Sequence, residues 1–295
     1  MQNIRCTLAR RWRPLLLLFA AALLLLTLAL MLSPPAAASE ARASYSTVPL
    51  TQSGQSRLPG QVFLIDGVTY VPFRAFCELQ GGHSVTWDPA ARIASVKTSG
   101  GVSIHAAADG ALYLQYGERY FYTVTPVRIV NDRVYIPIRP IAKCFGLDVS
   151  WNSTTRSVTL QRSGGSPRAD AGVYNSDELY WLARIIQAEA GAEPLKGKIA
   201  VGNVILNRVR SPQFPSTIYG VIFDRKYGVQ FSPTANGAIY NTPEREAVIA
   251  ARICLEGYSL SDEILYFYNP AIASSHWIAA YRPYAFRIGR HVFYK

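Results

Sequence analysis

The chain has 295 residues, of which 49% are hydrophobic and 17% are charged, and its formal net charge is +11. The hydrophobic fraction excludes a disordered protein, and the length supports about two packed domains. Four arginines within the first thirteen residues supply part of the charge, and no dense run of Lys and Arg with interleaved aromatic residues follows. The composition therefore disfavours a nucleic-acid-binding protein, whereas a polyanionic cell envelope is a suitable partner.

The N-terminus predicts export. A basic segment precedes an apolar run at residues 15–32, and an A-x-A cleavage pattern follows at residues 36–38. These features are typical of a secretory signal peptide, which we place at residues 1–38. The alternative is an uncleaved membrane anchor, because the apolar run is just long enough to span a bilayer. Only in that case would the protein contact a membrane, and it would do so through residues 1–38.

An internal repeat follows a small and polar stretch, residues 39–57, which predicts a linker. Residues 58–162 are predicted to form one domain, and the two copies of the repeat occupy residues 68–96 and 133–160. The recurring residues are Tyr70, Pro72 and Arg74 with Tyr135, Pro137 and Arg139, and, after a one-residue deletion, Val85, Trp87 and Arg92 with Val149, Trp151 and Arg156. Each copy predicts a strand ending at Pro, a short helix, a Gly turn and two alternating strands. The sequence therefore predicts a β-rich, pseudo-symmetric domain.

The P-x-R, Gly and V-x-W pattern of these copies resembles the copper amine oxidase N-terminal-like domain family, an accessory module of exported proteins. We predict no copper site, because the histidines in this domain, His83 and His105, are expected at the surface. The repeated arginines could bind a polymer or fix the turns of the domain itself. Cys77 and Cys144 are expected to form either a disulfide or two buried free thiols.

A second polar stretch at residues 163–173 predicts another linker. Residues 174–295 are predicted to form a second domain. Apolar residues at helical spacing lead to Glu189, which falls on the face that points into the protein. Gly191 is expected to end this helix, and Pro194 to start the next. Apolar neighbours and the negative helix end would both raise the pKa of Glu189, as a general acid near neutral pH requires. The alternative is a solvated glutamate or one paired with Arg184 or Arg208.

The carboxylates favour a mechanism with a single acid. Glu193 is expected in an exposed loop, as a second acid, a substrate contact or a helix cap. Asp224, Asp262 and Glu263 lie in predicted turns. A glycosidase that uses water usually needs two carboxylates roughly 5–9.5 Å apart. When a hydroxyl of the same sugar attacks instead, one carboxyl can act first as acid and then as base.

Two later segments supply predicted substrate contacts, because they combine flat aromatic faces with polar side chains of the kind that line ligand clefts. The residues are Gln230, Phe231, Ser232, Tyr266, Tyr268 and Asn269. Alternation is expected to turn Tyr266 and Tyr268 towards a cleft, with Leu265 and Phe267 on the opposite side. The alternative is a partly buried strand with no ligand role. His276 and His291 lack the spacing of a zinc amidase, so we predict no metal and no cofactor.

The motifs "LARIIQAEAGAEPLKGKIAVGNVILNRV", "SPQFPSTIYGVIF", "QFSPTANGAIYNTP", "LYFYNP" and "IGRHVFYK" together resemble the SleB/CwlJ family of cell wall hydrolases, the spore cortex-lytic enzymes, over residues 176–295. The sequence departs from the family at Ala192, where Arg often stands. The resemblance implies a multidomain protein whose accessory domain precedes a lysozyme-like, mainly α-helical (α+β) catalytic domain. It also implies a location outside the cell, in the cell wall or spore cortex.

The resemblance further implies peptidoglycan glycan strands as the partner and Glu189 as the catalytic acid, with a substrate-binding role for Glu193. The implied reaction is lytic transglycosylation of the bond between N-acetylmuramic acid and N-acetylglucosamine. A muramidase that hydrolyses the same bond, or a non-catalytic wall-binding protein, are the alternatives.

Overall fold

The computed structural model describes residues 45–108, 110–164, 174–273 and 276–295. The predicted signal peptide lies outside the described residues, as do residues 39–44 and residues 165–173 of the predicted second linker. Among the described residues, none of the helices combines the length and the apolar character needed to cross a membrane.

Residues 46–57 are strands rather than the predicted linker, so that prediction was wrong for this stretch. The strands are β1 (Ser46–Thr47), β2 (Leu50–Gln52) and β3 (Gln55–Arg57). Val48 and Leu50 are buried in the N-terminal core, and β2 pairs in parallel with residues 158–160. The polar composition of the stretch obscures these two alternating apolar positions, because the other residues are exposed or half-buried and mostly polar.

The N-terminal half contains the two predicted copies of a strand–helix–hairpin unit. The first copy comprises β4 (Phe63–Ile65), β5 (Val68–Pro72), α1 (Phe73–Leu79), β6 (His83–Asp88) and β7 (Ile93–Lys97). Between the copies lie β8 (Ser103–Ala107), β9 (Tyr113–Tyr116) and β10 (Arg119–Tyr122). The second copy comprises β11 (Arg128–Val130), β12 (Arg133–Pro137), α2 (Ile138–Cys144), β13 (Leu147–Asn152) and β14 (Ser157–Arg162).

A pseudo-twofold axis relates the copies. Strands β5 and β12 pair antiparallel at the centre of one sheet, ordered β1-β4-β5-β12-β11, with Ile136 opposite Val71. The first hairpin extends into the sheet β6-β7-β8-β9-β10, and the second into the sheet β13-β14-β2-β3. Two short helices and three sheets therefore enclose one core, as expected for a β-rich pseudo-repeat.

The hairpin turns have the same chemistry in both copies. The Asp88 side chain accepts hydrogen bonds from two successive backbone amides, at 2.9 and 3.0 Å. Asn152 does the same at 2.9 and 3.0 Å. Arg92 and Arg156 then take positive φ values of 54° and 48°. Such Asx turns fix the direction of the returning strand, which explains why the Asp/Asn and Arg positions recur in the sequence.

The C-terminal half is mainly helical and ends in a small sheet. Its elements are α3 (Ser176–Ala190), α4 (Leu195–Arg210), α5 (Ile218–Ile222), α6 (Pro233–Asn236), a 3₁₀ turn (Ala238–Tyr240), α7 (Arg245–Leu255), β15 (Tyr266–Tyr268), α8 (Trp277–Tyr281), β16 (Tyr284–Ile288) and β17 (His291–Tyr294). The Asn175 side chain accepts from the Asp177 amide at 2.9 Å and caps α3. A methyl group at Gly202 would lie 2.7 Å from Cys254 Sγ, so glycine permits the close approach of α4 and α7.

Residues Ser46–Lys295 form one compact unit, in which the two halves share an interface. Tyr120 and Tyr122 of β10 are buried in the core of the C-terminal half, where the ring of Tyr122 lies 4.6 Å from that of Tyr258. Arg119 forms an ion pair with Glu256, whose side chain is 3% exposed. A multidomain chain with a β-rich part before a helical part is thus confirmed. The lysozyme-like character and the exact domain boundaries stay predictions.

The cysteines of both halves are buried free thiols in this structure. Cys77 and Cys144 lie in the N-terminal core, and Cys254 lies on α7. Of the two sequence-based alternatives for Cys77 and Cys144, the structure therefore contains the free thiols. Burial raises the pKa of all three thiols well above the ordinary range, so each behaves as a small apolar side chain.

Candidate active site

Glu189 lies in the last turn of α3, next to a buried apolar stripe. Leu182, Ile185 and Ile186 on this helix are fully buried, whereas Glu189 is partly exposed. Burial raises the pKa of Glu189 from 4.5 to about 7, and the nearby Arg208 guanidinium opposes this increase. Desolvation disfavours the carboxylate more than the cation favours it. The side chain can therefore hold a proton near neutral pH and remains open to solvent on one side.

Arg208 is the residue that organises the surroundings of Glu189. It lies on α4, is 6% exposed, and its Nε donates to the Leu265 carbonyl at 2.8 Å. Burial lowers the pKa of Arg208 to about 10, while Tyr266, Asp224 and Glu189 raise it. The guanidinium thus stays charged at neutral pH and supplies a fixed positive charge beside the acid.

Three aromatic rings surround this guanidinium. Its Cζ lies 4.9 Å from the centroid of Phe214, 5.3 Å from Phe231 and 5.5 Å from Tyr266. Such cation–π contacts hold the guanidinium in place. The sequence predicts Arg208 only as a possible partner of Glu189. Its position four residues after Val204, on the buried face of a helix, is the signal that could have identified it.

Two of the predicted contacts, Phe231 and Tyr266, need correction. Phe231 is 4% exposed and Tyr266 is 8% exposed, so neither offers an open ring face to a sugar. Both pack against Arg208 instead. The prediction failed because it assigned aromatic residues in a predicted cleft to the ligand, whereas a buried cation beside the acid needs the same rings.

Strand β15 has two different faces, largely as the alternation predicts. Phe267 stacks on Phe293 of the main core, whereas Tyr268 stacks on Tyr294 on the opposite face. Tyr266 belongs to the same cluster as Tyr294. Leu265 also packs with these tyrosines, contrary to prediction, because it precedes the strand and does not follow its alternation.

The remaining predicted contacts lie on loops or at the ends of helices and strands, with partial or full exposure. Gln230, Tyr268 and Asn269 are half-buried, and Ser232 is exposed. The Asn269 side-chain oxygen accepts from the Ala271 amide at 3.0 Å, and the Gln230 amide lies 3.4 Å from the Gly228 carbonyl. These four side chains reach the surface, and their substrate-binding role stays a prediction.

Glu193 is buried and bonded within the protein, which contradicts its predicted exposure. It is 6% exposed, and its Oε2 accepts from the Arg290 amide at 3.1 Å. Its carbonyl accepts from Lys198 Nζ at 2.8 Å. Pro194, without a side-chain cap bond, precedes α4, so Glu193 is not the cap. Glu193 ties the segment after Glu189 to the β16–β17 turn, and its substrate-binding role stays a prediction.

Replacing Gly289 by alanine is expected to lower the free energy of unfolding by about 2 kcal/mol or more. An added Cβ would lie 1.8 Å from Glu193 Oε2, and the residue has a φ of +55°. Glu193 would therefore have to leave the Arg290 amide. Gly237→Ala is the matched control, because Gly237 also has positive φ (+82°) but nothing lies within 4 Å of its Cβ position. Equal losses in urea unfolding would contradict the importance of the Glu193 contact.

Two of the other acids predicted as alternatives pair with surface cations, whereas Asp224 lies near enough to Arg208 to raise the pKa of that residue. Asp262 pairs with Arg210 at 3.9 Å and Glu263 with Lys295 at 2.5 Å, while Asp224 accepts from the Lys226 amide at 2.9 Å. Among the described residues, Arg208 is the charged group that perturbs the pKa of Glu189, and no carboxylate contributes. A carboxylate a few ångströms away would have raised it. In the same ranges, no group of three or more His, Cys, Asp or Glu side chains could hold a metal ion.

Comparison with known families and proteins gives two matches. Residues 192–294 match the Cell Wall Hydrolase family, a range that includes Glu193 and begins just after Glu189. Residues 53–160 match the copper amine oxidase N-terminal domain family.

Among curated relatives, the chain is 39% identical over 122 residues to the spore cortex-lytic enzyme of Bacillus subtilis (strain 168), covering 41% of this chain and 39% of that protein. It is 40% identical over 120 residues to the spore cortex-lytic enzyme of Halalkalibacterium halodurans, covering 41% and 35%. The chain thus spans less than half the length of these relatives.

Among solved structures, one similar chain is the catalytic domain of the germination-specific lytic transglycosylase SleB from Bacillus anthracis. The identity is 38%, with coverage of 43% of this chain and 99% of that chain, and the TM-score is 0.39. The catalytic domain of the Bacillus cereus SleB protein is also 38% identical, with coverage of 45% and 100% and a TM-score of 0.38.

Proposed function

We propose, from the premise that the C-terminal domain of this chain belongs to the cell wall hydrolase family, that the protein cleaves peptidoglycan strands as a lytic transglycosylase. The bond cleaved is the one between N-acetylmuramic acid and N-acetylglucosamine. The observation that carries the proposal is Glu189, a partly exposed carboxyl whose pKa burial raises to about 7. The names of the similar proteins, spore cortex-lytic enzyme and lytic transglycosylase, point to the same reaction class.

In the first step of the proposed mechanism, Glu189 donates its proton to the glycosidic oxygen. The bond between that oxygen and C1 of N-acetylmuramic acid breaks, and positive charge develops on the sugar ring. The leaving N-acetylglucosamine keeps the proton as a new hydroxyl. The adjacent Arg208 helps at this stage, because its charge stabilises the carboxylate that Glu189 has become.

In the second step, the C6 hydroxyl of the same muramic residue attacks C1. The Glu189 carboxylate accepts the hydroxyl proton and is thereby regenerated as an acid, so no water is consumed. Intramolecular attack has an effective molarity on the order of 10⁵ M or more, which explains how one carboxyl can suffice.

Mass spectrometry of fragments released from purified peptidoglycan tests the reaction. A transglycosylase gives 1,6-anhydromuramic ends, whereas a muramidase gives reducing ends that are heavier by one water. Reducing ends would replace the proposal by hydrolysis of the same bond. Retention on the polymer without any fragments would replace it by a non-catalytic wall-binding role.

The pH dependence of kcat/KM is expected to have one limb. Glu189 must be protonated in the free enzyme, so the rate should be constant below about pH 6 and fall about tenfold per pH unit above about pH 7. A hydrolase with a second essential carboxylate would also lose activity at low pH. Rates measured on soluble glycan fragments from pH 4 to pH 9 check this, and a bell-shaped profile would contradict the single acid.

We further propose the spore cortex as the substrate wall, reached after export directed by residues 1–38. The similar curated proteins are named spore cortex-lytic enzymes. The net positive charge of the chain, +11, favours binding to an anionic wall. Comparing fragment release from purified cortex with release from vegetative peptidoglycan tests the choice. Faster release from the vegetative wall would overturn it.

A further inference from the structure

Each copy of the N-terminal repeat contributes to a cavity of its own, and the two cavities are equivalent under the pseudo-twofold axis. The first has a volume of about 650 Å³ and lies between the first copy and the β11–β12 hairpin. The second has a volume of about 840 Å³ and lies between the second copy and the β4–β5 hairpin. The repeat has therefore preserved two concave surfaces.

The same residue types line both cavities. The paired residues are Arg74 and Arg139, Val85 and Val149, and Trp87 and Trp151. Trp87 is 40% exposed and Trp151 is 38% exposed. Tryptophan is highly buried on average in folded proteins, so two half-exposed tryptophans at equivalent positions need an explanation. Packing within the described structure does not supply one, because the fold leaves a large part of both side chains open.

Both tryptophans lie on strands that are paired within a hairpin. Trp87 pairs with Ala94 and Trp151 with Val158 across their hairpins, and the Asx turns at Asp88 and Asn152 close those hairpins. The Arg139 guanidinium donates to the Val149 carbonyl at 3.0 Å. A ring held on a paired strand loses little freedom when a ligand binds, which favours affinity.

The lining favours a sugar polymer that carries negative charge. A flat indole face packs well against the apolar face of a sugar ring, and cations next to it bind carboxylates. Arg74 and Arg133 line the first cavity beside one carboxylate, Asp132. Arg139 and Lys143 line the second, whose two carboxylates are paired with other cations, Glu256 with Arg119 and Asp262 with Arg210. Within the part of the chain that the structure describes, Arg74 forms one ion pair, an exposed contact with Glu78 at 3.8 Å, and such pairs are weak. Its charge is therefore available to a ligand.

We propose that the repeat domain binds acidic glycan strands through Trp87 and Trp151, one ring for each of two segments of strand. The proposal rests on the proposed function, because the substrate of the C-terminal half is such a strand. Two equivalent sites on one rigid domain suit a repetitive polymer, since binding at one raises the effective concentration at the other. The second cavity is also lined by Tyr258, Ser259 and Asp262, so a strand bound there touches both halves.

Sedimentation with purified peptidoglycan tests the proposal, in the full chain carrying Glu189→Gln so that the polymer stays intact. Trp87→Leu and Trp151→Leu are each expected to lower the apparent affinity about tenfold, because the second point of attachment is lost. The double variant is expected to keep only the binding that the substrate site of the C-terminal half provides, with no further loss when the second tryptophan is replaced by alanine instead of leucine. Trp87→Phe and Trp151→Phe are the matched controls, because they keep a flat ring, and they should stay within about threefold of the parent.

The outcomes separate this proposal from the proposed function. If the leucine variants fold, as urea unfolding can verify, and bind like the phenylalanine variants, the glycan sites are refuted even when the wild-type chain still cleaves peptidoglycan. A parent that does not sediment at all refutes them as well. Binding that persists on glycan strands stripped of stem peptides supports the proposal, and binding lost on those strands assigns the tryptophans to peptides instead.

Discussion

Glu189→Gln is expected to lower the rate of glycan cleavage by about a thousandfold or more. General acid–base catalysis by one group contributes typically about 10²–10⁴, and here the same carboxyl is proposed to act in both steps. Glutamine keeps the size of the side chain but can neither donate nor accept the reacting proton. The measurement is the release of anhydromuropeptides by the purified full chain. Activity within tenfold of wild type would remove Glu189 from the mechanism.

The free energy of unfolding distinguishes this loss of activity from misfolding. A misfolded variant is less stable than wild type, whereas Glu189→Gln should be more stable at high pH. Because burial raises the pKa of Glu189 from 4.5 to about 7, the wild-type protein is most stable, as far as this group is concerned, below pH 4.5. That stability is lost as the pH rises through 7. Glutamine mimics the protonated form at every pH. Each pKa unit corresponds to about 1.4 kcal/mol, and partial exposure reduces the effect.

The variant should therefore match wild type at pH 4 and exceed it by about 2 kcal/mol at pH 9. Glu178→Gln, at the exposed start of the same helix, is the control and should change neither activity nor this pH dependence. An inactive Glu189→Gln protein that is also less stable than wild type at every pH would point to a structural role instead.

Arg119→Ala is expected to lower the free energy of unfolding by about 3–5 kcal/mol. Arg119 is the ionic partner of Glu256, whose side chain is 3% exposed, at the interface between the halves. Without Arg119, the buried Glu256 carboxylate would still accept a hydrogen bond from the Tyr174 hydroxyl, and its charge would be balanced only by more distant cations. Removal of one member of a buried pair costs far more than the pair contributes. Equilibrium unfolding in urea measures the loss.

Two comparisons make this result interpretable. Arg74→Ala removes an exposed pair with Glu78 and should change stability by less than about 0.5 kcal/mol. A double variant, Arg119→Leu with Glu256→Leu, removes both charges and should recover most of the loss. If Arg119→Ala resembles Arg74→Ala, or if the double variant adds a second large loss, the buried pair is not what joins the halves.

The repeat was predictable because its signals are local. Each unit combines a Pro, a Gly turn and an Asx turn at fixed spacing, and these residues restrict the backbone without help from distant contacts. Strand β2 was not predictable in the same way. Its pairing partner, Val158 opposite Leu50, lies more than a hundred residues away, and a short polar strand has no local signature.

The two glutamates illustrate the same limit. Helical spacing placed Glu189 on the buried face, and the structure agrees about its position and its raised pKa. Glu193 follows only four residues later, but a backbone amide at Arg290 decides its burial. That contact joins segments nearly a hundred residues apart, so the apparent loop position was misleading. Arg208 was likewise recognised as central only through rings that come together in three dimensions.

The burial of Tyr120 and Tyr122 in the C-terminal core makes folding a joint property of both halves. When apolar contacts and a buried ion pair cross an interface, neither side can open without exposing part of the other. Heating should accordingly give a single calorimetric endotherm for residues 46–295. Transplanting the helical half onto an unrelated carrier would first require polar replacements on the side of α7 that β10 covers.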